Sequence, residues 1–370
     1  MATILAHRST PSPRYTPHPQ DVELSRLDSV SPSILSEPPP YDEATGAPSF
    51  HPTVHLQIET TGKPWLSLPL PLRPDPIPIF TLQPEESSSS AASHTPKFLS
   101  LRPERCSGSC YLVSSSDSVP LSTTTYRFGP NRPPQIRLFH PANPPLSPSA
   151  VQTLLFPPKG NKETPQSADP AAPEPWDEFT VCSLGLLTRA VTFRTRLGTF
   201  QWRYASRKER HARARSPVSP ASDKPGSSGS SSSEVSSLLV LERVVRIATA
   251  RNQPRPGSSS SRHAGGGGGG GGGGSHDEQV RTVVAEFIRG PEYRTAGSSG
   301  SSAGNGGRLV VDLGLFGDRE GGGDGGEGKG DREMALVMVV TTCLLMLKRE
   351  VDRRRAQQIA IMAGAASGGS

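Results

Sequence analysis

Glu333-Met-Ala-Leu-Val-Met-Val-Val-Thr-Thr-Cys-Leu-Leu-Met-Leu-Lys348, followed at once by Arg349-Glu-Val-Asp-Arg-Arg-Arg355, is the stretch on which the fold turns. It is the only long, strongly apolar segment of the chain. A helix that is apolar on every face must be buried, either in lipid or in a protein core. Length separates the two. The uninterrupted run Met334–Leu347 has 14 residues. At the usual rise it spans about 21 Å, against about 30 Å of hydrocarbon in a bilayer. Asp331, Arg332 and Glu333 close one end, and Lys348, Arg349 and Glu350 the other. The reading is a core helix over about 332–360. The alternative is a single-pass or tail-anchored membrane protein that uses 334–347 as its span.

Composition limits what surrounds that helix. The chain has 370 residues with 39 Pro and 38 Gly, and only 33% of it is hydrophobic, 5% aromatic. Much of it cannot bury enough apolar surface to offset the entropy of ordering. One folded domain interrupted by long disordered insertions is expected. Residues 1–50 read as a disordered Pro/Ser-rich tail. The domain runs over 53–360, with low-complexity insertions at about 140–175, 214–235, 252–278, 295–307 and 317–331. The third contains ten consecutive glycines, Gly265–Gly274.

Between the insertions the pattern is that of strands. Val54-His-Leu-Gln-Ile58 alternates apolar and polar residues, the period of a half-buried strand. Trp65–Leu72, Ile77–Leu82, Lys97–Leu101, Cys110–Val113, Thr124–Phe128 and Gln135–Phe139 follow, the first two broken by prolines that suggest edges. Phe179–Leu184 is strand-like. Ala190–Arg196 and Gly198–Tyr204 read as a hairpin around Leu197-Gly198. Phe200, Trp202 and Tyr204 share one face of it, and Thr199, Gln201 and Arg203 the other. Ser236–Ala250, Val280–Ile288 and Leu309–Phe316 complete the set. Many short strands and one late apolar helix predict a mainly β domain. Its expected form is a closed antiparallel barrel with the helix buried in it.

This order of elements resembles the tubby C-terminal and scramblase-like β-barrel, also found in LURP-one-related proteins. The stretches that carry the resemblance are Thr195-Arg-Leu-Gly-Thr-Phe-Gln-Trp-Arg-Tyr204 and Ala335–Arg355, with Val310–Phe316 as the last strand before the helix. The tail and the low-complexity insertions are similar to those of filamentous-fungal proteins. The resemblance implies a hydrophobic helix threading a closed barrel. It also implies binding or scaffolding, at a membrane surface or a phosphoinositide. Arg194, Arg196, Arg203 and Arg207 are the first candidates for contact with anionic lipid. Continuation of the helix beyond Leu347 departs from one wholly enclosed by the barrel.

The remaining motifs are local. Pro38-Pro39-Pro40-Tyr41 matches the P-P-x-Y ligand of WW domains. A polyproline II segment arrives preordered, its prolines fill aromatic grooves and Tyr41 takes its own pocket. A WW-domain protein is therefore one expected partner, through Pro38, Pro39 and Tyr41. The net charge of +6 and pI near 9.3 arise mostly from dispersed residues. The one dense cluster, Arg207-Lys-Glu-Arg-His-Ala-Arg-Ala-Arg215, reads as a solvated strand end and loop, or as a nuclear-localisation or acidic-surface patch. Neither an RNP-type aromatic strand nor zinc spacing supports specific recognition of nucleic acid. Cys106 and Cys110 form Cys-x-x-x-Cys without a second ligand pair at zinc spacing. Cys182 and Cys343 lie in apolar segments and read as core. Gly321–Asp331 lacks the Ser or Thr that a P-loop needs for its metal ion. The nine histidines do not form an acid/base constellation. No cofactor or metal is expected.

The expected function is non-enzymatic binding or scaffolding. The first residues, Met1–Arg8, lack a signal-peptide core, and the cysteines do not form a secreted framework. A cytoplasmic location follows, with membrane-associated or nuclear as the alternatives.

Overall fold

The computed structural model of the chain describes residues 49–71, 75–82, 95–104, 108–126, 132–140, 151, 174–185, 188–214, 235, 237–247, 278–317 and 327–367. The chain divides into two units, Met1–Ala47 and Pro48–Ser370, and the described residues belong to the second. The P-P-x-Y motif, Cys106 and Gly265–Gly274 lie outside the described residues.

The unit is mainly β. Thirteen strands form one antiparallel sheet: β1 Val54–Ile58, β2 Ile77–Leu82, β3 Phe98–Leu101, β4 Cys110–Ser114, β5 Pro120–Thr125, β6 Gln135–Leu138, β7 Asp177–Thr180, β8 Cys182–Ser183, β9 Val191–Thr195, β10 Gly198–Tyr204, β11 Ser237–Ile247, β12 Glu278–Arg289 and β13 Gly307–Val311. The ladder runs β7-β6-β5-β4-β3-β2-β1-β13-β12-β11-β10-β9-β8. Its two terminal strands are consecutive in the chain, with only Val181 between them. The sheet therefore returns on itself and is nearly closed into a barrel. Contacts across the seam include Phe179 of β7 stacked on Phe193 of β9 at 5.3 Å and the Arg196 backbone N–H, which donates to Asp177 at 2.8 Å.

Strand alternation explains the interior. Leu56 and Ile58, Ile77 and Ile79, Phe193, Phe200 and Trp202, and Leu309 and Val311 all enter one apolar cluster. The β9–β10 hairpin forms, but its two-residue turn is Arg196-Leu197 rather than Leu197-Gly198, with Gly198 already in β10 opposite Thr195 and Trp202 opposite Val191. A smaller cluster lies elsewhere on the sheet, where Phe50, Tyr293 and Val235 pack on Leu238, Val240, Ile288 and Val310.

Helix α2, Glu327–Ser367, has 41 residues and supplies the centre of that core. The short helix α1 spans Arg207–Ala214. A 3-10 turn, Gly314–Phe316, leads from β13 towards α2, and its Phe316 packs 6.2 Å from the Phe200 ring. Every residue from Met334 to Leu347 is buried. Those fourteen residues are the ones the length argument assigns to a core, and the barrel wall occupies the place lipid would take. Among the described residues no helix is long and apolar enough to cross a membrane. The two polar interruptions of the run are satisfied by the wall. Trp202 Nε1 donates to Thr342 Oγ1 at 3.0 Å, and Thr342 Oγ1 donates back to the Met338 carbonyl at 2.8 Å. Thr341 Oγ1 lies 2.7 Å from Ser122 Oγ.

The structure corrects several details. Trp65–Leu72 reads as a strand, yet 65–71 is an exposed loop; Pro64, Pro69 and Pro71 remove the donors a ladder would need. Residues 295–307 read as an insertion, yet they are packed: Ser302 and Asn305 are buried, and Ala303 exchanges backbone hydrogen bonds with Lys63 at 2.8 and 2.9 Å. Within that loop Gly304 sits at φ +68°, where a Cβ would lie 2.7 Å from the Leu347 carbonyl oxygen. Only glycine lets the loop cross α2 so closely. Helix α2 begins at Glu327, inside the stretch assigned to the 317–331 insertion. Cys182 is exposed rather than core, because it falls on the outward face of its short strand. Arg207–Ala214 is helical, opened by a reciprocal pair in which Glu209 N–H donates to Ser206 Oγ at 3.3 Å and Ser206 N–H to Glu209 Oε2 at 2.6 Å. That is a capping box.

Candidate functional site

Strand polarity places the chain's arginines. Strands β10 and β12 end, and β11 and β13 begin, at one end of the barrel, and the C-terminal half of α2 emerges there. This end is called the mouth. The 3-10 turn and the start of α2 lie at the opposite end, the base.

Two adjoining depressions of about 550 and 330 Å³ lie at the mouth and share Arg189, Tyr204 and Ser237. Glu350 is the only acid among their lining residues. It is occupied from several sides. Tyr204 Oη donates to Glu350 Oε1, Gly304 N–H donates to Oε2 at 3.0 Å, and Arg289 lies 2.9 Å from Oε2. Arg289 and Glu350 are both largely buried, at 7% and 11% side-chain exposure, so this pair ties the rim to the emerging helix rather than facing water. Burial, then the nearby Glu350, raises the Tyr204 phenol well above its usual range. The phenol therefore stays protonated and remains a donor.

Arg189, Arg353 and Arg354 also line the second depression. Arg189 is exposed, with its guanidinium 5.4 Å from the centre of the Tyr204 ring. Arg353 has no ion-pair partner among the described residues and is half-buried. Arg354 lies 4.4 Å over the Trp65 ring and donates to the Ser301 carbonyl at 3.1 Å. Arg189, Arg353 and Arg354 thus surround a cleft whose one carboxylate is already engaged. Such a cleft favours an anion with several oxygen acceptors, because guanidinium groups present planar donors.

The four arginines chosen from the sequence do not converge. Arg194 and Arg196 lie near the turn of the β9–β10 hairpin, about 20 Å from Tyr204 at strand spacing. Arg194 is exposed, and Arg196 stands 5.8 Å over the Trp176 ring. Arg207 is exposed on α1, its Nε 3.3 Å from His211 Nε2. Arg203 alone lines the groove, and it is committed to Glu209 at 2.7 Å and Glu242 at 2.6 Å. Its hydrogen bonds hold the Glu209 carboxyl down to about 2. With Arg281–Glu242 at 3.3 Å and Arg213–Glu286 at 2.9 Å, these pairs fasten α1 to the outside of β10–β12. Part of the basic cluster at 207–215 is therefore structural.

Sequence reasoning misses Arg189, Arg289, Glu350, Arg353 and Arg354 as site residues. The run Arg353-Arg354-Arg355 directly after the apolar helix is the one signal that could have found them. Among the described residues no group of three metal-ligating side chains gathers. No protein-family model, curated protein or solved structure matches the chain. The class is therefore defined by the fold alone: a nearly closed antiparallel β-barrel built around a C-terminal helix.

Proposed function

We propose that the chain is a non-enzymatic binding module of the tubby C-terminal and scramblase-like kind, whose arginine-lined mouth contacts an anionic lipid surface. The observation that carries this reading is the charge balance of the mouth. Glu350 is taken up by Tyr204, Gly304 and Arg289, while Arg189, Arg353 and Arg354 line the cleft with no further acid among its lining residues. A barrel around a late apolar helix is also what the family resemblance implies. The setting that suits it is the cytosolic face of a membrane, where Cys110, Cys182 and Cys343, all free, would stay reduced.

Co-sedimentation of the full chain with vesicles tests the reading. Binding is expected to vesicles containing 20 mol% phosphatidylserine, to fall as salt rises, and to be weak on pure phosphatidylcholine. Each basic side chain near such a surface is worth about 1 kcal/mol, so Arg353→Gln/Arg354→Gln is expected to weaken partitioning roughly thirtyfold. A thermal melt shows whether the variant remains folded. Wild-type protein that ignores anionic vesicles, or a folded double variant that binds them unchanged, would remove the proposal.

A further inference from the structure

We infer that the loop at residues 64–71 and the last turns of α2 form an apolar tip that enters the acyl region of an anionic bilayer. This deepens the reading of the mouth as a lipid contact and rests on it.

The tip is unusual for its exposure. Leu66 is 95% exposed, Leu68 66%, Leu70 55% and Trp65 47%. Beside them on α2, Ile359, Ile361 and Met362 are also about half exposed or more, at 49%, 58% and 54%. Scattered apolar residues need no explanation, but seven in two adjoining segments do. The segments are joined by specific bonds. Gln358 Nε2 donates to the Pro64 and Trp65 carbonyls at 3.2 and 2.7 Å, and Arg355 Nε to the Pro69 carbonyl at 2.8 Å. Ile361 and Met362 follow Arg354 and Arg355 by seven residues, two helical turns, and so continue the face that carries the loop.

The loop is held open from beneath. Lys63 is buried, and its ammonium donates to the Leu68 carbonyl at 2.6 Å and the Leu70 carbonyl at 3.0 Å. These bonds satisfy backbone acceptors and leave the leucine side chains pointing away from the protein. A loop that had to bury its leucines in its own domain would not be fastened in this way.

Charge selects the occupant. Residues 60–71 and 353–367 contain no Asp or Glu, and they contain Lys63, Arg353, Arg354 and Arg355. Aliphatic side chains beyond a collar of arginines, with an indole at the level of the collar, match the layering of an anionic bilayer: acyl chains, interface, then phosphates. A protein partner would have to supply a concave apolar socket ringed with acids, whereas a bilayer supplies both layers over any convex tip.

The experiment uses the full chain and Trp65 fluorescence, with Trp65→Phe subtracting the signal of Trp176 and Trp202. On phosphatidylserine vesicles the Trp65 emission is expected to shift to the blue and to be quenched by lipids brominated on their acyl chains. Leu66→Asp/Leu68→Asp alters only exposed side chains. It is expected to keep the wild-type melt and to lose at least about tenfold in vesicle partitioning, at high salt as well as low. Unchanged partitioning together with unquenched Trp65 would overturn insertion while leaving the electrostatic contact standing. Failure of wild-type protein to bind anionic vesicles at all would overturn both. A double variant that binds vesicles normally but loses self-association would reassign the tip to contacts between copies of the chain.

Discussion

Single residues inside the barrel show how a polar group can sit in an apolar core at little cost. Thr342 accepts from the Trp202 indole and donates to the Met338 carbonyl, so none of these groups is left alone. Replacing it by Val keeps the shape and removes the acceptor. The Trp202 N–H would then be buried without a partner, which costs about 1–3 kcal/mol. Thr342→Val is therefore expected to lower the denaturation midpoint measurably in a urea titration. Ser122→Ala/Thr341→Val, which removes both members of the other pair, should cost less, since neither partner is left unsatisfied. A Thr342→Val protein as stable as wild type would show that the indole bond does not matter. Glu350 illustrates the same logic at the mouth, where two hydrogen-bond donors and the Arg289 guanidinium converge on one carboxylate.

At the scale of elements, α2 is the feature from which the fold could be read. Met334–Leu347 is too short for a bilayer and apolar on all faces, and every one of its residues is buried in the barrel. Val339 is fully buried, so Val339→Asp would put a carboxylate among apolar side chains. The expected cost is several kcal/mol, seen as insoluble or rapidly degraded protein. Soluble protein with an unaltered melt would mean that the segment is not core. The β9–β10 hairpin was equally legible, because Phe200, Trp202 and their neighbours alternate with the period of a strand. Other elements were not legible, for identifiable reasons. Residues 65–71 are as apolar as a strand, and only their prolines separate them from one. Helix α1 hides in a charged run, and its sole marker is the Ser206-x-x-Glu209 cap. Residues 295–307 look like a flexible insertion because their order depends on backbone bonds to Lys63, which lies far away in sequence.

At the scale of the molecule, the candidate site was the least legible part. Arg189 precedes β9, Arg289 ends β12, and Arg353 and Arg354 follow the core of α2. They meet only because the barrel returns on itself and the helix emerges through one end. The sequence points instead to Arg194, Arg196, Arg203 and Arg207, which cluster along the chain but spread in space, with Arg203 consumed by Glu209 and Glu242. The resulting polarity, with arginines and apolar side chains together at the mouth, is the central claim. Hydrogen–deuterium exchange of the full chain, with and without phosphatidylserine vesicles, tests it most directly. Protection is expected at 60–71, at 299–304 and at 353–362, with exchange at the base, around 196–198 and 314–317, unchanged. Protection confined to the base or to α1, or no protection at the mouth while the protein is vesicle-bound, would contradict it.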